Sequence, residues 1–141
     1  MPPTLSSIRD QVEINLMDTS NLIWSTTILD EALRAALLDL GRVYGEELTL
    51  KDLDSATTTN VADEDLYVLV KGAVAHALIF RSVGRFEEDT PEPRILPHLA
   101  THAQNAASEF RAMLNFVDLR LKQLSKSAPH SAWDWVEKGG F

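Results

Sequence analysis

The segment from Leu66 to Phe80, LYVLVKGAVAHALIF, is apolar on nearly every face of the helix that it predicts. Lys71 and His76 are the strongly polar side chains that interrupt it. A helix that is hydrophobic all round is buried on all sides, so this segment predicts the central helix of a bundle. The acidic cluster at 63–65 lies where the helix dipole favours acids, and the predicted helix extends over residues 62–84.

Before this segment, a shorter amphipathic helix is predicted over about residues 5–17, because apolar residues recur there at three- and four-residue spacing. Ser6 or Ser7 is its expected N-terminal cap. The polar side chains at 18–21 bond their own backbone and compete with helix, so a turn is expected there. Trp24, just before the next helix, is expected to pack the entering chain against the core.

The second and fourth helices flank the central one. The second begins at Ser25 or Thr26, which are candidate caps, and ends at Gly45, as helices commonly end at glycine. The fourth extends from residue 96 or 97 to residue 125, roughly 40 Å, and is the longest. Its predicted apolar stripe comprises Leu99, Ala103, Ala106, Phe110, Met113, Leu114, Val117, Leu121 and Leu124. Together the patterns predict an all-α, four-helix bundle-like domain with a long C-terminal helix.

Three segments break the helical pattern. Residues 46–61 alternate leucines with polar residues, which favours either a short β-hairpin or an extended loop. Residues 87–93 form an acidic, proline-rich linker that cannot be helical. Residues 127–141 have no helical period and carry large aromatic side chains. We therefore divide the chain into a helical domain, 1–126, and an extended aromatic C-terminal tail, 127–141.

Composition excludes several classes of function. The 141 residues include no cysteine, which excludes a disulfide framework and a thiol nucleophile. The net charge is −8, with most of the acidic excess in residues 46–92, and such a chain has no positive surface for gripping phosphate backbones. The longest apolar run is too short to span a bilayer, and the first residues lack the basic start of a signal peptide. Neither a membrane nor a specific nucleic-acid partner is expected.

Candidate chemical sites are few. His98 and His102 have the i, i+4 spacing of metal ligands, but the residues between them lack the glutamate of a zinc hydrolase, so a solvated helix face is expected. His76 is expected to be a packed histidine with one hydrogen bond. The acidic clusters at 63–65 and 87–92 lack the ligand pattern of a calcium loop. We predict no catalytic, cofactor or metal site, and no enzyme.

The aromatic residues of the tail are the candidate partner-binding residues: Trp133, Trp135 and Phe141. Tryptophans of this kind serve as anchors when an arm docks into a partner. The alternative is that Trp133 and Trp135 fold back on the bundle.

Parts of the sequence resemble a known family. DTSN at residues 18–21, WSTTILDEAL at residues 24–33 and KGAVAHAL at residues 71–78 are similar to the head–tail connector (adaptor, or head-completion) proteins of tailed bacteriophages. The layout of a short first helix, a buried central helix and a long last helix followed by a tail also resembles that family.

The resemblance implies a virion component, made in the host cytoplasm, that forms a homo-oligomeric ring, commonly of twelve copies, beneath the portal protein. Such rings extend the DNA channel and are the platform for the tail or its stopper protein. DNA is contacted only during its passage, and no catalytic residues or cofactors are implied. Residues 1–126 would be the adaptor domain, and the arm 127–141 would dock onto the portal or a neighbouring subunit.

Two other functions are consistent with the residues. One is a small cytoplasmic helical regulator that binds a single protein partner through its C-terminal tail. The other is a metal-dependent helical enzyme built on His98, His102 and scattered acids, which metal analysis of the purified protein tests.

Overall fold

The computed structural model describes residues 3–84 and 95–124, and these form an all-α bundle with a long last helix, as predicted. The four helices are α1 (Leu5–Leu16), α2 (Thr26–Tyr44), α3 (Leu66–Ile79) and α4 (Ile95–Leu124). The predicted linker 87–93 and the predicted tail 127–141 lie outside the described residues.

The central position of α3 is confirmed, since it packs against α1, α2 and α4. Nine of its 14 residues are buried. Gly72 lets α3 pack closely on both neighbours, since an added Cβ would lie 2.5 Å from Phe110 Cζ of α4 and 3.0 Å from Ala36 Cβ of α2. A 3₁₀ turn, Asp63–Asp65, precedes α3 and a π turn, Phe80–Gly84, follows it.

The helix ends show how local chemistry sets the boundaries. Ser25 caps α2 by accepting a hydrogen bond from the Ile28 N–H (3.3 Å), and Gly45 ends that helix at φ 79°, both as predicted. The prediction of Ser6 or Ser7 as the cap of α1 is wrong. Thr4 is the cap, and Ser7 completes a capping box by accepting from the Thr4 N–H (3.0 Å).

Residues 46–61 form a loop and not a hairpin, and the loop contains a short 3₁₀ turn, Leu53–Ser55. The described part of the chain holds one isolated bridge, between Thr4 and Lys51, and no strand. Side-chain oxygens accept hydrogen bonds from backbone N–H groups that would donate to a second strand in a hairpin. Asn60 Oδ1 accepts from the Thr49 N–H (2.7 Å), and Thr59 Oγ1 accepts from the Lys51 N–H (2.8 Å). Three buried leucines hold the loop against the bundle: Leu48, Leu50 and Leu53.

The long helix α4 has 30 residues and a length of about 45 Å. Its predicted apolar stripe faces the core, with Ala103, Phe110 and Val117 buried. The stripe ends at Leu124, which is exposed. The last turn of α4 therefore extends past the residues that α3 can cover.

Candidate protein-docking surfaces

A turn between α1 and α2 presents large apolar side chains to solvent. We call it the apolar turn and define it by four exposed residues: Ile14, Met17, Leu22 and Ile23. Met17 is 90% exposed and Leu22 is 85% exposed. Single exposed apolar residues are ordinary on a protein surface, but a group of four within ten residues is typical of a surface that binds a partner.

The buried carboxylate of Asp18 holds the apolar turn in shape. Its two oxygens accept hydrogen bonds from three successive backbone N–H groups: Leu22 (3.0 Å), Ile23 (3.1 Å) and Trp24 (2.9 Å). The side-chain amide of Asn21 donates to the carbonyl of Trp24 (3.0 Å), and the backbone of Asn21 is left-handed at φ 55°. Asparagine tolerates that conformation better than most residues because its short polar side chain bonds locally.

Trp24 fastens the turn to the bundle. Its side chain is buried, as predicted, and its Nε1–H donates to the carbonyl of Ala77 near the C-terminal end of α3 (2.8 Å). The turn is therefore fixed at one end by α1, internally by Asp18 and at the other end by α3. A surface fixed in this way loses little conformational entropy when a partner binds, which favours affinity.

A second apolar surface lies between the start of α3 and the last turns of α4. We call it the α3–α4 groove, and its volume is about 580 Å³. Phe116 is 75% exposed and Tyr67 is 59% exposed along it, and Leu119 is also exposed. Its remaining lining residues are partly polar: Glu64, Asp65, Val68, Met113, Val117, Arg120 and Gln123.

An ion pair between a buried carboxylate and a half-buried guanidinium lines this groove. Asp65 is 1% exposed and accepts two hydrogen bonds from the guanidinium of Arg120, at 2.9 and 2.7 Å, and a third from the hydroxyl of Tyr44. The Arg120 hydrogen bonds hold the pKa of Asp65 below its usual range, against the opposing effect of burial. Burial and the hydrogen bond to Asp65 raise the pKa of Tyr44 to about 12. The cluster joins α2, α3 and α4 at one end of the bundle.

The predicted chemical residues fall in separate places. The Asp39 carboxylate of α2 lies 2.8 Å from Nε2 of the half-buried His76, which is the single-hydrogen-bond environment expected. His102 is exposed, and no side-chain position is described for His98. Within the described residues, no three histidine or acidic side chains converge as metal ligands do. The tail residues Trp133, Trp135 and Phe141 lie outside the described residues.

The sequence alone does not identify the residues that shape both surfaces. Asp18 is one of four consecutive turn residues, and no pattern distinguishes its side chain from the others. Phe116 and Leu119 lie outside the apolar stripe of α4. A large apolar residue off the buried stripe of a helix faces solvent or a partner, so this position is the sequence signal that identifies them.

Comparison of the chain with protein-family models, with curated proteins and with solved structures found no match. None of the helices formed by residues 3–84 and 95–124 has the length and apolar character that crossing a membrane requires.

Proposed function

We propose that the chain is a structural virion protein of a tailed bacteriophage: a head–tail connector that forms a ring between portal and tail. The apolar turn is the observation that carries this proposal. The two stretches that resemble the connector family, residues 18–21 and 24–33, lie on either side of the exposed Leu22 and Ile23, and they fasten this turn to α3. The stretches that carry the resemblance therefore hold the exposed apolar residues of the turn in place.

The shape and chemistry of the turn suit an assembly contact. Both oxygens of Asp18 bond the backbone of a turn on which Met17 and Leu22 are exposed. A turn that only connected two helices would not need exposed apolar residues at these positions. In the proposed ring this turn contacts the neighbouring subunit or the portal protein. The number of copies, commonly twelve, comes from the resemblance.

The acidic balance suits the proposed DNA channel. A net charge of −8 opposes binding of the phosphate backbone, so DNA would slide past the ring without adhering to it. In this proposal the protein is not an enzyme, binds no cofactor, and serves as the platform for the tail or its stopper, with the arm 127–141 docking through Trp133, Trp135 and Phe141.

The deciding experiment is electron microscopy of lysates from a phage or prophage that lacks this gene. We expect DNA-packed or leaking heads beside separate, finished tails. Normal tailed particles would overturn the proposal and leave a small protein-binding regulator as the better function.

A second experiment tests the apolar turn itself by complementing the deletion with point variants. Leu22→Glu places a charge in the turn and should abolish tailed particles while the purified chain keeps its helical circular dichroism. The matched control is Leu38→Glu, because Leu38 is an exposed leucine of α2 (59%) outside the turn, and it should complement. If Leu22→Glu complements equally well, the turn is not the assembly contact.

A further inference from the structure

The apolar turn and the α3–α4 groove have complementary shapes. The turn is convex, because Met17 and Leu22 are almost fully exposed and project from it. The groove is a concave surface of about 580 Å³, and its exposed apolar side chains are those of Tyr67, Phe116 and Leu119. Methionine fills irregular apolar concavities well because it is unbranched and flexible. The groove therefore has the shape and the chemistry to receive the projecting side chains of such a turn.

The combined apolar area of the two surfaces is sufficient for a specific contact. Taking about 200 Å² for an aromatic side chain and somewhat less for an aliphatic one, the two surfaces together expose on the order of 800 Å². Specific interfaces are about 60% apolar, so a contact that covers both surfaces would bury roughly 1,300 Å² in all. Stable specific interfaces bury about 1,200–2,000 Å², so this contact falls at the lower end of that range.

The turn brings no unpaired charge to such a contact. Residues 14–28 carry a single charged side chain, that of Asp18. Its carboxylate is buried and bonded to the backbone of the turn. The exposed polar side chains of the turn include the hydroxyls of Thr19 and Ser20, which can donate hydrogen bonds to an acidic partner.

The groove carries the acidic group that these hydroxyls suit. Asp65 and Arg120 neutralise each other in their ion pair, and the carboxylate of Glu64, which lines the same groove, is largely exposed. Two grooves placed face to face would bring two Glu64 carboxylates together, and like charges in an interface cost free energy. Two concave surfaces would also leave empty space between them, which forfeits van der Waals contact. The uncharged, convex turn has neither disadvantage.

The positions of the two surfaces require the contact to join different copies. The turn is bonded to Ala77 near the C-terminal end of α3, whereas Tyr67 of the groove lies in the first turn of that helix. A rigid turn fixed at one end of α3 cannot enter a groove at the other end of the same helix. In a ring, identical subunits meet through two different surfaces, so each subunit must present both halves of the contact.

We infer that the apolar turn of one copy packs into the α3–α4 groove of the next copy, with Leu22 against Tyr67 and Phe116. The inference rests on the proposed ring, from which the requirement for two different surfaces comes, and it names the surface that receives the turn.

Cysteine cross-linking of the purified full chain tests this contact, because the chain contains no cysteine of its own. The double variant Leu22→Cys/Phe116→Cys, treated at high protein concentration with a short bifunctional maleimide, should give a ladder of covalent dimers, trimers and larger products. Each single variant should remain monomeric, since neither surface meets itself. An equal mixture of the two single variants should give dimers and nothing larger, because each copy then carries one half of the link.

Two controls show whether the link depends on the contact. Leu22→Cys/Leu38→Cys pairs the turn with an exposed leucine of α2 outside both surfaces, and it should give no ladder. Adding Met17→Glu to the double variant should slow ladder formation at least about 10-fold, the effect of losing an interface anchor, whereas adding Leu38→Glu should not. Circular dichroism verifies that each variant keeps its helices.

Three results would overturn the inference: no ladder from the double variant, a covalent dimer from either single variant, or a ladder that Met17→Glu leaves unchanged. These results are distinct from a failure of the head–tail role. If no ladder forms but Leu22→Glu still abolishes tailed particles, the turn contacts the portal and the role stands. If the ladder forms while a phage lacking the gene makes normal tailed particles, the contact between copies stands and the role fails.

Discussion

Removing the carboxylate of Asp18 should loosen the apolar turn and destabilise the bundle. Asp18→Ala deletes three hydrogen bonds to the N–H groups of Leu22, Ile23 and Trp24. Water can satisfy the first two groups because these residues are exposed, but the N–H of Trp24 belongs to a buried residue. A buried donor left without an acceptor costs about 1–3 kcal/mol, and each lost charge-assisted bond that water replaces costs less.

The expected total is a loss of about 2–3 kcal/mol in the free energy of unfolding. Burial of the carboxylate in the unaltered protein carries a desolvation cost, which the alanine variant no longer has, and this offsets part of the lost bonding. A typical domain is stable by about 5–15 kcal/mol, so the variant should remain folded at room temperature.

Urea unfolding followed by circular dichroism measures this loss as a lower midpoint at unchanged slope. Hydrogen exchange should also show reduced protection of the amides of residues 22–24. The matched control is Asp10→Ala, because Asp10 is an exposed acid on α1, and it should change stability by no more than about 0.5 kcal/mol. An Asp18→Ala midpoint equal to that of the control would refute the argument that this carboxylate holds the turn.

Two further substitutions test the bundle. Gly72→Ala places a Cβ 2.5 Å from the Phe110 ring. The overpacking costs about 1–3 kcal/mol and the gain in helix propensity is about 1 kcal/mol, so urea unfolding should show a net loss of up to about 2 kcal/mol. A smaller loss in the Phe110→Leu background would confirm the clash, and a stabilised Gly72→Ala protein would contradict it. Tyr44 is bonded to Asp65 and its pKa is raised to about 12, so the folded state keeps a proton that the unfolded state loses from about pH 10 upward. The free energy of unfolding should therefore fall between about pH 10 and 12. Tyr44→Phe should remove this fall, whereas the control Tyr67→Phe, at an exposed position, should leave it unchanged. Equal alkaline stability profiles for all three proteins would refute the assignment of the fall to Tyr44.

Local chemistry explains why most of the fold could be predicted. The caps at Ser25 and Gly45 depend on side-chain and backbone preferences that act within one helical turn. The burial of α3 follows from apolar residues on every face, and α4 packs by the stripe that its spacing indicates. The cap of α1 could not be predicted from local preference alone, because Thr4, Ser6 and Ser7 can all cap a helix. The start of this helix is also fixed by a distant contact, since the Leu5 N–H donates to the carbonyl of Lys51 (2.9 Å).

The α3–α4 groove and the Asp39–His76 contact could not be predicted because they depend on pairs that are far apart in sequence. Asp65 and Arg120 are separated by 55 residues, and nothing in the acidic cluster at 63–65 distinguishes Asp65 from its neighbours as the buried member. Asp39 and His76 are 37 residues apart. Each pair forms only because α3 lies between the other helices, so the fold must be known before the pairs can be.

The positions of the two apolar surfaces constrain how copies of this chain could join. The apolar turn is attached near the C-terminal end of α3 through Ala77, and Tyr67 of the groove lies at its N-terminal end, ten residues or about 15 Å away. Contacts between two different surfaces of identical subunits are heterologous, and they produce closed rings or open filaments.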